Sequence, residues 1–175
     1  MTVIAALIAA VVAVAGYMLT QAQTRRERRA KEFAQALAAV EEYLEAPYRI
    51  RRRQAATPEA RDALTNALSD LQARIAHHRA WLHVEAPAVA QAYDALVAAA
   101  RSEAGVQMIE AWNTAPPTKD ADMNLKVAYQ HPSSDDERAK VIALMRQNLR
   151  YRHTAGALGG VDEVIAGGGV SKRLL

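Results

Sequence analysis

Three histidines crowd one stretch of the chain, His77, His78 and His83. Imidazole is a common zinc ligand and the proton carrier best matched to neutral pH. A helical zinc pair needs its ligands on one face, typically four residues apart. The separations here are one, five and six, and at about 100° per residue such rings diverge. Neither His-Glu-x-x-His nor Glu-x-x-His occurs, so the zinc-protease and di-iron bundle patterns are missing. His78 falls between Ile75 and Leu82 on an apolar stripe and reads as a core or boundary histidine. Neither a metal nor a cofactor is expected.

The acids offer no better catalyst. Glu41 and Glu45 share a helix face, and Asp135, Asp136 and Glu137 crowd a helix start. Paired carboxylates do acid–base work only where burial splits their pKa values. The first pair lies on a charge-rich surface, and the second set complements a helix dipole. Neither a Gly-x-Ser-x-Gly elbow nor a phosphate-binding loop occurs, and Gly167-Gly168-Gly169 has no strand before it. The chain is not expected to be an enzyme.

The basic clusters say more. Arg25, Arg26, Arg28, Arg29 and Lys31 directly follow an uncharged run, Val3–Leu19. As a helix that run measures about 26 Å, enough for a thin bilayer core. Tyr17 would sit at headgroup level, and the cations that follow would contact lipid headgroups and hold the rest of the chain on the cytoplasmic side. A second cluster, Arg49, Arg51, Arg52 and Arg53, would lie about 50 Å beyond the end of that run on a straight helix. The Debye length is only ~8 Å, so these four would not feel the bilayer. They are candidates for binding a partner protein. Only Tyr48 accompanies them, so a single-strand stacking platform, and with it nucleic acid, is not indicated.

Two alternatives attach to the apolar run. Ala13-Val14-Ala15 has the form of a signal-peptidase site, but no Lys or Arg precedes it and a basic cluster follows. Ala5, Ala9 and Ala13 recur every fourth residue, a spacing that lets two membrane helices approach and would support a homo-oligomer.

The elements that carry these residues follow from composition and punctuation. Of 175 residues, 51% are hydrophobic but only 5% aromatic, so the core must be mostly Ala, Leu and Val. Those residues suit helix packing better than a sheet. Cysteine is absent, which excludes disulfides and thiolate metal sites. The net charge is only +3, and it conceals the two basic bursts.

Phe33, Leu37, Val40 and Leu44 mark one stripe, which Pro47 ends or kinks. Thr57-Pro58-Glu59 starts a helix whose apolar face runs through Leu64, Leu68, Leu71, Ile75 and Leu82. A break at Val84–Pro87 precedes a third helix, with Val89, Tyr93, Leu96, Val97 and Ala100 inward and the face continuing past Gly105 to Met108, Ile109 and Trp112. Residues 113–132 lack a period, though a short helix over Ala121–Tyr129 fits. Ser134-Asp135-Asp136-Glu137 has the capping-box form and opens the last helix, with Val141, Ile142, Met145 and Leu149 inward. From Thr154 the glycines predict a flexible tail.

The fold class expected is therefore all-α: a single N-terminal transmembrane helix (1–23), a helical cytoplasmic domain (24–153) forming a three- to four-helix bundle, and a Gly-rich tail (154–175). The layout resembles that of small bacterial or phage membrane proteins, with no shared motif behind it. The function expected is that of a non-catalytic, membrane-tethered adaptor or scaffold, single-pass in the inner membrane, that binds another protein at the cytoplasmic face. A membrane-active oligomer of the phage lysis or exclusion type and a membrane-associated nucleic-acid binder are the alternatives.

Overall fold

Alanine is by far the commonest residue of the chain, and proline sits where helices change direction. The computed structural model describes the backbone of residues 2–123 and 128–166, and side chains over 9–123 and 128–150. Among the described residues five helices follow one another: α1 (Thr2–Leu44), α2 (Ala46–Arg51), α3 (Pro58–Glu85), α4 (Pro87–Asn113) and α5 (Pro132–Ala166), with one 3₁₀ turn at Asp120–Asp122. The described residues contain no strand, so the all-α helical bundle expected from composition is present. The chain divides into two units, residues 1–31 with 146–175, and residues 32–145.

The second unit is the bundle. Its α1 portion buries Phe33, Ala36, Ala39, Val40, Tyr43 and Leu44, while Leu37 lies at the margin. Pro47 kinks the path rather than ending it. Glu45 keeps a helical backbone, its N–H reaches Glu41 O at 3.0 Å, and α2 resumes with proline in its first turn. Proline is tolerated there because first-turn amides lack intrahelical acceptors in any case. Thr57 caps α3 by accepting the Ala60 N–H, with Pro58 at the first helical position, as its sequence indicates.

A single residue, Ala86, separates α3 from α4. Its N–H donates to Leu82 O, and its carbonyl accepts from Val89 and Ala90 N–H. Pro87 holds Ala86 out of the helical region (φ −151°, ψ 67°), which reverses the chain. Pairings at constant offset fix the remaining directions. Tyr93 reaches Ala36 and Arg53 reaches Ala111, so α1–α2 run parallel to α4, and α3 returns antiparallel.

Eight alanines are among the buried apolar residues: Ala36, Ala39, Ala46, Ala86, Ala90, Ala100, Ala104 and Ala111. Small side chains let helix axes approach, and they explain how a chain so poor in aromatics closes a core. They also correct the expected face of α4. Ile109 is 65% exposed, and Ala104 and Ala111 are the residues turned inward beyond Ala100. The stripe follows closeness of approach rather than hydrophobicity.

Four further expectations are corrected or left standing here. The capping box does not form, because α5 begins two residues earlier at Pro132 and Ser134 is a buried first-turn residue. In place of a helix over Ala121–Tyr129 there is the 3₁₀ turn, closed by Asp122 N–H to Lys119 O and Met123 N–H to Asp120 O, with residues 124–127 outside the described ones. Helix α5 continues over 154–166, where a flexible tail was expected. Ala155, Ala157, Leu158 and the run 161–166 are compatible with helix despite Gly156, Gly159 and Gly160, and the rest of the tail, 167–175, lies outside the described residues. Among the described residues no helix is long and apolar enough to cross a membrane. Of the expected span Val3–Leu19, only the side chains from Ala9 onward are described.

Candidate functional site

The first candidate is the described part of the apolar run. Val11, Val12, Val14, Tyr17, Met18 and Leu19 are each between 58% and 68% exposed. At about 100° per residue they fall on nearly all sides of α1, and exposed Ala9 and Ala13 fill the remainder. A helix lying flat on a surface would show one apolar face and one polar one; this segment is apolar all round. Beyond it comes a zone of uncharged polar residues whose side chains are largely satisfied within the helix. Thr20 and Thr24 hydroxyls donate to the carbonyls of Gly16 (2.9 Å) and Thr20 (3.0 Å), and Gln21 donates to the Tyr17 hydroxyl.

The lipid-headgroup candidates follow directly. Arg25, Arg26, Arg28 and Lys31 are exposed and Arg29 is partly covered. The single acid among them, Glu27, accepts a hydrogen bond from Gln23 at 3.1 Å.

The second cluster is built differently. Arg53 is buried, 9% exposed, and its guanidinium donates to four carbonyls: Ile50 at 3.0 Å, Ala111 at 2.9 Å, Trp112 at 3.3 Å and Thr114 at 2.6 Å. It also stacks over the Trp112 ring, 5.5 Å from the centroid. The last carbonyls of a helix lack intrahelical partners and carry its negative dipole end, so a forked cation among them is a cap. Arg51 donates to Ala115 O at 3.2 Å, and Arg52 donates to Met123 O at 3.0 Å while lying over the Tyr48 ring. The Tyr48 hydroxyl accepts from Tyr129 N–H at 2.8 Å and the two rings meet edge-on. Three of the four expected partner-binding arginines thus fasten the end of α4 and, at Thr114, Ala115 and Met123, the segment that follows it to the C-terminal end of α2. Arg49 stays exposed, at the rim of a shallow groove lined by Ala46, Ile50, Leu64, Ala67 and Leu68. With room of about 20 Å³, that groove admits a water and not a metabolite.

His78 is buried between α1 and α3. Its Nδ1 lies 3.7 Å from a Glu32 carboxylate oxygen, too far for a hydrogen bond, and has no other partner. Burial, with His77 and Arg74 nearby, pushes its pKa below 6.5, and Glu32 offsets only part of this. The folded state therefore binds this proton less readily than the unfolded chain does. The bundle loses stability as pH falls below about 6.5, until the depressed folded-state pKa is passed. Urea midpoints between pH 8 and pH 5.5 should fall for the native chain and fall less for His78→Gln. Equal slopes would show that other groups carry the dependence.

Several other titratable residues are bound to structural partners. Asp94 meets Arg79 Nε at 2.6 Å and His83 Nε2 at 3.0 Å. Partial burial raises its pKa, but those two hydrogen bonds outweigh burial and hold it below the ordinary value. Arg74 grips Glu42 with both arms of its guanidinium, and that contact lowers the Glu42 pKa. Glu41, once paired in sequence with Glu45, instead meets Arg138, which also holds Asp135. Among the described residues no group of three His, Cys, Asp or Glu side chains is placed to hold a metal ion.

Two contacts without a sequence signal complete the picture, one from Glu103 and one from the hydroxyl of Tyr93, whose ring alone was expected inward. Glu103 on α4 accepts from Ser133 N–H (2.9 Å), Ser134 N–H (3.1 Å) and the Ser134 hydroxyl (2.6 Å), so it caps α5 from another helix. The Tyr93 hydroxyl, buried, donates to Ala36 O at 3.0 Å, and burial drives its pKa far up. Neither has a local signal, because each partner is 30 or more residues away.

Comparison with protein-family models, with curated proteins and with solved structures finds no match to this chain.

Proposed function

We propose that this chain is a non-catalytic adaptor, anchored in a membrane through Val3–Leu19, that presents the helical unit 32–145 to another protein at the cytoplasmic face. The observation that carries the anchor is the exposure of Val11, Val12, Val14, Tyr17, Met18 and Leu19 on nearly all sides of one helix. In water such a contiguous apolar surface is costly, and in soluble monomers patches of this kind mark a membrane or a partner. The full run of 17 uncharged residues in the sequence matches a thin bilayer core, and the collar at 25–31 matches the positive cytoplasmic flank.

The adaptor reading rests on what the described titratable groups do. Asp94, Glu42, Glu41 and Glu103 each hold a cation or a helix end, so none is poised for acid–base work. The nucleic-acid alternative weakens for a similar reason, since its strongest carrier, the 49–53 cluster, spends three guanidinium groups on the chain's own carbonyls.

The test is a carbonate wash of membranes from cells expressing the C-terminally tagged full chain, combined with protease added to intact spheroplasts. A tag that pellets and stays protected supports the anchor and its orientation. A tag released by carbonate means cleavage after Ala15 or no insertion, and a digested tag means the reverse topology.

A further inference from the structure

The chain handles its positive charges in two distinct ways. In the helical unit seven of the cations have protein partners: Arg53 with four carbonyls, Arg51 and Arg52 with one each, Arg74 with Glu42, Arg79 with Asp94, Arg138 with Glu41 and Asp135, Lys140 with Glu137. At the end of the apolar helix the pattern reverses. Arg25, Arg26, Arg28 and Lys31 are exposed and make no ion pair with any described residue. The acid placed among them, Glu27, is turned toward Gln23.

The placement of these four is as telling as their exposure. At about 100° per residue, Arg25, Arg26, Lys31 and Arg28 fall near 0, 100, 240 and 300° around the helix. They form a collar rather than a stripe, and it begins six residues after Leu19, the last residue of a segment apolar on all sides. A protein or nucleic-acid ligand would approach from one side and meet only part of that ring. A surface pierced by the helix meets all of it.

We infer that the collar formed by Arg25, Arg26, Arg28 and Lys31 binds anionic phospholipid headgroups arranged around the emerging helix, so that the chain selects negatively charged lipid rather than merely tolerating it. This rests on the anchor reading above and adds to it a lipid specificity that a hydrophobic span alone does not confer. Each guanidinium or ammonium supplies donors matched to phosphate oxygens. Attraction between a juxtamembrane cation and an anionic leaflet is worth about a five-fold preference per charge, and it fades with ionic strength.

The test uses the full chain reconstituted in phosphatidylcholine vesicles carrying a trace of spin-labelled lipid. Electron paramagnetic resonance then reports the fraction of label slowed at the protein surface, once with phosphatidylglycerol and once with phosphatidylcholine as the labelled species. The expected result is a preference for phosphatidylglycerol of about five-fold, falling toward one in 1 M salt and in the quadruple variant Arg25→Gln, Arg26→Gln, Arg28→Gln, Lys31→Gln. The salt arm needs no mutation, so a variant that fails to fold does not blunt the test. Slowed lipid with equal preference for the two headgroups overturns the collar and leaves the anchor intact. The absence of slowed lipid of either kind overturns the anchor, and the collar with it.

Discussion

Replacing Arg53 with methionine should lower the stability of the helical unit by about 3 kcal/mol, the scale set by breaking a buried charge-assisted network. The methionine keeps the aliphatic stem and most of the volume. What disappears is the fork that satisfies Ala111, Trp112 and Thr114 carbonyls at the end of α4 together with Ile50 at the end of α2. Those acceptors cannot all turn to water, because Arg53 occupies a buried position between the two helix ends. Lysine should recover less than half of the loss. Its compact ammonium has three donors on a flexible stem and cannot reach acceptors on two helices as a planar guanidinium does. Urea titration of the full chain, followed through Trp81 and Trp112 fluorescence, measures both variants. A loss under about 0.5 kcal/mol for methionine, the range of an ordinary surface substitution, would mean that the four carbonyls find other partners.

The second large effect runs against intuition. Ala36→Leu adds apolar surface and keeps a strong helix former, yet it should destabilise by about 2 kcal/mol through overpacking. Ala36 is wholly buried, and its carbonyl receives the Tyr93 hydroxyl at 3.0 Å. A leucine there must push α1 away from α4, which stretches that bond and parts the neighbouring alanine contacts. The adjacent Leu37, half-covered at the rim, makes the control, and Leu37→Ala should cost less than about 1 kcal/mol, as partial burial implies. If Ala36→Leu instead stabilises, the α1–α4 approach is looser than the geometry indicates.

These two sites show which parts of the molecule could be read in advance. Thr57-Pro58 and Ala86-Pro87 declare their helix boundaries because capping and proline geometry act within four residues. The identity of α3 as an amphipathic helix was equally open, since Leu71, Ile75 and Leu82 are both periodic and buried. Arg53 was visible only as one of four arginines; that it turns inward while Arg49 stays outside depends on carbonyls 58 to 61 residues later. The start of α5 was misplaced for the same reason. Ser134 looked like a cap to its own helix, whereas the capping carboxylate comes from Glu103, 31 residues earlier. On α4 the error had another source. Ile109 outranks Ala104 and Ala111 in hydrophobicity, but a helix that must lie close to its neighbours turns its smallest side chains inward. The apolar run Val3–Leu19, by contrast, is legible end to end in the sequence, while its first side chains fall outside those described.

The Arg53 fork also has a bearing on how the chain is made. Its most distant acceptor, Thr114, lies 61 residues further along. At bacterial-to-eukaryotic elongation rates of about 5–20 residues per second, that acceptor is synthesised roughly 3–12 s after the arginine. Through that interval the guanidinium lacks these acceptors, and α1–α2 has only α3 to pack against, through contacts such as Phe33–Trp81 and Glu42–Arg74. The latch between the end of α2 and the end of α4 is therefore the part of the bundle that must form last.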